Sequence, residues 1–172
     1  MNVILHSEVI GSCGQEYWPQ IRQMARLLVA SITKRSQINY VPREEDVDGF
    51  IDLRRSYEGY MLVDGSGQLL AGATVLHGCE AEHTEDKVTA IMMLATDPDQ
   101  RKRGYAKELV REIARVGLER GDTLLEVNPI DEATDYWLRL GFQEPIPPLS
   151  SKALYATAEQ FARTVEELES DQ

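Results

Sequence analysis

A basic turn with one glycine, Arg101-Lys102-Arg103-Gly104-Tyr105-Ala106, is the segment best equipped for chemistry. It follows an apolar run, Ala90 to Ala95, and opens a stretch with Ala106, Leu109, Val110, Ile113 and Gly117 at helical spacing. A strand, a turn and a helix N-terminus in that order make a site for a pyrophosphate. The first N–H groups of a helix lack internal partners and, with the helix dipole, attract an anion. Gly104 removes the side chain where a phosphate must approach, and Ala106 is small enough to permit the same. Arg101 and Arg103 offer charge-assisted hydrogen bonds, and Lys107 offers a point charge.

The charge distribution singles out the same place. The chain of 172 residues carries a formal net charge of −11. Residues 99 to 115 hold six cations and three anions, so that segment is +3 and the remainder is −14. An acidic surface repels nucleic acid and anionic membrane, and it favours cationic partners. The basic turn is a local reversal that a bound anion requires.

The elements that must position this turn can be read from pattern. The length fits one domain with a single core. No apolar run approaches the roughly 18–20 residues of a membrane helix. The N-terminus lacks a basic region ahead of a long apolar stretch, so no signal peptide is expected. Cys13 and Cys79 are too few and too far apart for a disulfide framework, which fits a reducing, cytoplasmic setting. A short strand is expected over Asn2–Leu5. A helix starts at Trp18-Pro19, with Ile21, Met24, Ala25, Leu28 and Ile32 as its buried stripe. A second helix starts after Pro42 among Glu44, Glu45 and Asp46, with Val47, Phe50 and Ile51 as its core face. Tyr60–Val63 and Leu69–Leu76 flank the turn Asp64-Gly65-Ser66-Gly67, an antiparallel hairpin. A polar loop is expected from Gly78 to Lys87, then a strand over Val88–Thr96 and a helix over Gly104–Arg120 that Gly121 ends. Thr123–Val127 is the next strand, and its right-handed crossover makes it a parallel neighbour of Val88–Thr96. Asp131–Leu140 is a short helix leaving through Gly141-Phe142. Pro145, Pro147 and Pro148 interrupt regular structure; a last strand over Ser151–Ala156 and a helix over 157–169, with Ala158, Phe161, Ala162, Val165 and Leu168 inward, complete the chain.

With these residues in view, the sequence resembles the GCN5-related N-acetyltransferase family. The family's coenzyme A loop reads Arg/Gln-x-x-Gly-x-Gly/Ala, which Arg101 to Ala106 match. Thr96-Asp97-Pro98-Asp99 resembles the lead into that loop, and Ala133 to Phe142 resembles the family's short helix ending in Leu-Gly-Phe. The resemblance covers about residues 2 to 144. It implies an α/β (α+β) fold: a single domain, a mixed and mostly antiparallel sheet with a central splayed parallel strand pair, and flanking helices. It implies acetyl-CoA as donor, with pantetheine amides pairing to the backbone at Leu94, Ala95 and Thr96. The pyrophosphate would rest on Arg101, Lys102, Arg103, Gly104, Tyr105, Ala106 and Lys107. An amine acceptor would attack the thioester directly.

The residues that move protons depart from the family pattern. Its glutamate early in the strand before the loop falls on Ala90, and no carboxylate lies between Val88 and Thr96. Glu126, on the next strand, is the candidate base. The family's tyrosine, four residues before the glycine of Leu-Gly-Phe, falls on Trp137; Tyr136 is one place earlier. One helical step is about 100°, so both rings cannot face one atom. Indole is no practical acid, so Tyr136 is the candidate acid and Trp137 a wall of the cofactor pocket.

Cys79 to Asp86 lacks paired Cys/His spacing, so no metal site is expected, and His6 and His77 are read as structural residues in apolar surroundings. The resulting reading is an acetyl-CoA-dependent N-acetyltransferase, monomer or homodimer, acting on an amine of a small molecule or protein. The alternative is a coenzyme A-binding module, catalytically weak or inactive, with a regulatory or protein-interaction role.

Overall fold

The computed structural model describes residues 4–33, 41–81, 84–145 and 151–170. The expected strand start at Asn2, the loop residues Glu82 and His83, and Pro147 and Pro148 lie outside them. Six strands form one mixed sheet in sequence order: β1 (Ile4–Val9), β2 (Glu58–Val63), β3 (Leu69–Glu80), β4 (Lys87–Thr96), β5 (Leu124–Val127) and β6 (Leu154–Thr157). Five helices accompany them: α1 (Trp18–Thr33), α2 (Glu44–Asp52), α3 (Tyr105–Glu119), α4 (Thr134–Arg139) and α5 (Ala158–Ser170). β4 and β5 are parallel, whereas β1–β2, β2–β3 and β5–β6 are antiparallel. No described helix is long and apolar enough to cross a membrane.

The chain divides into two compact units. The first comprises Met1–Val75 and Met93–Leu109. Its core joins the α1 stripe Ile21, Met24, Ala25 and Leu28 to Val47, Phe50 and Ile51 of α2 and Met61 of β2, with Met93 and Ala95 of β4 against it. Ile32 departs from the expected stripe and lies 52% exposed in the last turn of α1. Two glycines seat the helix. A Cβ on Gly72 would stand 2.7 Å from Met24 Cγ, and one on Gly59 would stand 2.9 Å from Met24 Cε. Met24 therefore fills a notch that only glycines leave open. Arg22 bridges Glu44 and Asp48, and Arg26 holds Glu44, tying α1 to α2 across their exposed sides. Such pairs contribute little each, about 0–1 kcal/mol.

The second unit comprises Leu76–Met92 and Val110–Gln172. Its buried polar centre corrects the reading of His77 as a residue in apolar surroundings. Asp122 Oδ2 accepts hydrogen bonds from Thr89 Oγ1 at 2.8 Å and the Gly78 N–H at 3.0 Å, and His77 Nδ1 lies 3.3 Å away. His77 Nδ1 is also 3.0 Å from Thr89 Oγ1. One carboxylate thus ties β3 and β4 to the turn that enters β5. α3 crosses close above this centre, because a Cβ on Gly117 would come within 2.3 Å of Thr89 Oγ1.

Other boundaries also differ from expectation, β2 among them, which begins at Glu58 rather than Tyr60. β1 runs to Val9, and β3 continues to Glu80, so the loop expected from Gly78 is shorter. β6 begins at Leu154 rather than Ser151. α5 starts from a capping box: the Thr157 N–H donates to Gln160 Oε1 and the Gln160 N–H donates to Thr157 Oγ1, both at 3.0 Å. Its buried face is Ala158, Phe161 and Val165, while Ala162 and Leu168 are exposed.

Replacing Asp122 by Ala removes the acceptor of the buried Thr89 hydroxyl and of the Gly78 N–H, and the carboxylate beside His77. Urea unfolding should show a loss of about 3 kcal/mol. Asp86→Ala, which removes an exposed acceptor of the Thr123 hydroxyl, should cost under about 1 kcal/mol.

Candidate functional site

In the first unit, β4 leads into the basic turn. The Asp97 N–H donates to the Leu70 carbonyl at 2.9 Å, fixing the strand end to β3. Asp97 Oδ1 then accepts the Asp99 N–H at 2.9 Å, capping a single helical turn over Pro98–Gln100. The chain next makes two left-handed steps, at Lys102 with φ 64° and Gly104 with φ 80°. A non-glycine residue there costs about 1–2 kcal/mol and is kept where the surroundings over-determine it, often at ligand clamps. Gly104 meets the same demand without strain. A Cβ added to Gly104 would find nothing within 4 Å, so packing does not require the glycine. The space beside it is open to a ligand. The Glu108 N–H donates to the Gly104 carbonyl at 3.0 Å, which makes Gly104 the entry residue of α3.

Arg101, Lys102 and Arg103 are exposed, and no described residue pairs with any of them. Three uncompensated cations, an open glycine and a helix N-terminus therefore coincide. Leu94, Ala95 and Thr96 are half-buried in the preceding strand, as are Tyr105, Ala106 and Lys107 in the first turn of α3. Gln100 adds a residue that the motif did not reveal. Its Oε1 is buried with no hydrogen-bond partner among the described residues, next to the cations.

The second unit holds the remaining candidates. The β4–β5 ladder pairs Val88 with Leu124, Thr89 with Leu125, Ala90 with Glu126 and Ile91 with Val127. β4 then runs five residues further, to Thr96. Register partners in a sheet share a face. Glu126 therefore stands one strand over from Ala90, on the same side, with Tyr155 of β6 as its other neighbour. Glu126 is half-buried, and no hydrogen bond or ion pair from a described residue holds it.

Tyr136 and Trp137 of α4 have different surroundings. The Tyr136 hydroxyl is buried without a partner among the described residues. Burial pushes its pKa up to about 12, an effect that Arg139 partly offsets. Trp137 is buried, with its ring edge-on to Phe142 at a centroid distance of 5.1 Å. The turn after α4 is a Schellman motif. The Phe142 N–H donates to the Trp137 carbonyl at 3.2 Å, the Gly141 N–H donates to the Leu138 carbonyl at 3.1 Å, and Gly141 has φ 89°. The Trp137–Phe142 contact is the apolar pair that accompanies this motif.

Neither cysteine is an activated nucleophile. Burial, then Glu8, raises the Cys13 thiol, and burial, then Glu126 and Asp122, raises Cys79. No group of three metal-ligating side chains occurs among the described residues.

The open, cationic strand-to-helix turn lies in the first unit, and the buried tyrosine without a described partner lies in the second. Residues 21–142 match the model of the acetyltransferase (GNAT) family, and the chain belongs to that family. Among solved structures the chain is similar to GCN5 of Tetrahymena, at 10% identity and a TM-score of 0.66, covering 92% of this chain and 96% of that one. It is also similar to an aminoglycoside acetyltransferase from an uncultured soil metagenomic sample in complex with sisomicin, at 17% identity and a TM-score of 0.58, covering 81% and 84%. A third is the KacTA–DNA complex, at 19% identity and a TM-score of 0.58, covering 99% and 100%. These identities establish the fold. No curated protein matches the chain in sequence.

The buried Tyr136 hydroxyl makes stability depend on pH. An unfolded tyrosine ionises near pH 10, whereas the folded one keeps its proton to about 12. Its contribution is complete below pH 10 and is lost as pH rises through 12. Urea unfolding from pH 9 to 12 should fall more steeply for the wild type than for Tyr136→Phe, by about 2 kcal/mol in all.

Proposed function

We propose that the chain transfers an acetyl group from acetyl-CoA to a primary amine by direct attack in a ternary complex. The observation that carries this reading is Gly104, left-handed and open-sided, at the entry of α3 beneath three cations that no described residue neutralises. A buried orphan oxygen on the adjacent Gln100 fits the same ligand. The pyrophosphate would be held by Arg101, Lys102, Arg103 and Lys107, with the backbone of Gly104, Tyr105 and Ala106 beneath it. The edge of β4 at Leu94, Ala95 and Thr96 would pair with the pantetheine amides as an added strand. Trp137 would form part of the pocket wall. Acetyl-CoA supplies the activated acetyl thioester.

The remaining chemistry belongs to the chain. A lysine-like amine is less than about 0.1% neutral at pH 7, so it must lose a proton before it can attack. Glu126 takes that proton, from the register position beside Ala90. Tyr136 stays protonated at neutral pH because burial disfavours its phenolate, and it hands its proton to the departing sulfur. Both thiols are raised in pKa, which disfavours an acyl-enzyme route on cysteine and supports direct attack. These two unengaged groups favour an enzyme over a module that only binds coenzyme A. The −14 charge outside the basic segment favours a cationic acceptor.

Saturating acetyl-CoA should raise the melting temperature, by the equivalent of about 2.7 kcal/mol at a hundredfold excess over Kd. Arg101→Glu with Arg103→Glu should abolish the shift. Tyr136→Phe and Glu126→Gln should each keep the shift and lower kcat with an amine substrate about 100-fold. The proposal fails if millimolar acetyl-CoA leaves the wild-type melting temperature unchanged.

A further inference from the structure

The structure assigns the C-terminal helix α5 a part in the chemistry: Phe161 and Thr164 are positioning residues that fix the direction of the Tyr136 hydroxyl. The sequence offered no role for this segment, which follows the part resembling the family. The inference rests on the acetyl-transfer reading only for what Tyr136 does, not for how it is held.

α4 has six residues, and an isolated helix that short is not stable in water. Its pose must come from what it packs on. Two contacts from α5 supply that support at one point, the Gly141–Phe142 turn. Phe142 sits edge-on to Phe161 at a centroid distance of 6.2 Å, and both are essentially inaccessible to solvent. A Cβ on Gly141 would stand 2.7 Å from Thr164 Oγ1 and 3.7 Å from the Gln160 carbonyl, so α5 rests directly on the glycine. Gly141 is thus fixed twice, by its φ of 89° and by the helix above it.

From that point the support runs back to the tyrosine without a break. Phe142 meets Trp137 at 5.1 Å, and Trp137 meets Tyr136 at 5.4 Å, each edge-on. Such pairs constrain ring orientation as well as burying area. The Schellman hydrogen bonds bind the same residues through the backbone. α5 is itself anchored at its start by the Thr157–Gln160 capping box and near its end by the Arg111–Glu169 ion pair at 2.6 Å. The Tyr136 hydroxyl, by contrast, has no hydrogen-bond partner among the described residues to orient it. Among the described residues ring packing is what holds it, so loosening the far end of the aromatic run misdirects the group proposed to donate a proton. Proton donors tolerate little misplacement, and an error of about 1 Å can cost about 100-fold in rate.

Fluorine NMR on protein labelled with 3-fluorotyrosine tests the positioning without any need for activity. The Tyr136 signal is identified by its absence in Tyr136→Phe. In Phe161→Leu that signal should move by more than its linewidth, and Phe161→Met, which keeps a sulfur–aromatic contact, should restore much of its position. Asp122→Ala, destabilising but off the aromatic run, should leave it in place. Should Phe161→Leu not fold, Thr164→Ala is the second variant and carries the same expectation. A Tyr136 signal unmoved in the folded α5 variant overturns the inference. Turnover of acetyl-CoA with a panel of spermidine, an aminoglycoside and a lysine peptide then tests the link to chemistry. Phe161→Leu should lower kcat about tenfold with KM for acetyl-CoA unchanged, a smaller effect than full misplacement of the donor, and should have no further effect in a Tyr136→Phe background. Independent, multiplying losses in the two variants also overturn it. A wild type with no turnover counts against the acetyl-transfer reading alone, because the fluorine signal still decides the positioning.

Discussion

The parallel ladder between β4 and β5 starts from one clamp and stops after four pairs, and much of the chain depends on both facts. Asp122 ties Thr89 and the Gly78 N–H to the turn entering β5, which sets the register that places Glu126 beside Ala90. The ladder ends at Ile91 and Val127, since β5 has only four residues and runs on into Asn128-Pro129. Proline has no N–H to continue a ladder. β4 nevertheless reaches Thr96, so its last five residues run past the ladder with β5, and this is the edge that the proposed function gives to the pantetheine amides. A shift of the ladder by one residue would move Glu126 and change the length of that edge together.

The turn between β4 and α3 was legible in sequence because its causes are local. Gly104 takes a left-handed backbone angle without strain, the cations surround it within three residues, and the helix after it shows its period. The parallel pair followed from handedness. The clamp was not legible, because Gly78, Thr89 and Asp122 lie far apart in sequence and nothing in their spacing announces a shared carboxylate. The same holds for Glu126, whose proximity to Ala90 is a fact of register. Ile32 continued the periodic stripe of α1 yet ended exposed, since period alone does not say where the neighbouring layer stops.

The C-terminal part shows both sides of this limit. Thr157 and Gln160 carry a capping-box spacing that marks the start of α5, so its onset could be read. What α5 packs against could not, because that depends on Gly141 and Phe142 closing a Schellman turn whose outer face accepts Thr164 and Phe161. The same turn gives the two neighbouring rings of α4 different surroundings. Trp137 is committed to Phe142 as the apolar partner of the motif, which leaves Tyr136 as the ring with an unengaged polar atom.

In the proposed function one continuous stretch, from the end of β4 through the start of α3, holds the donor. Backbone amide shifts in a proton–nitrogen correlation spectrum, followed through a titration with acetyl-CoA, test it residue by residue. Leu94 to Thr96 and Arg101 to Lys107 should show the largest perturbations and saturate together. Saturating perturbations that avoid both stretches would contradict the account.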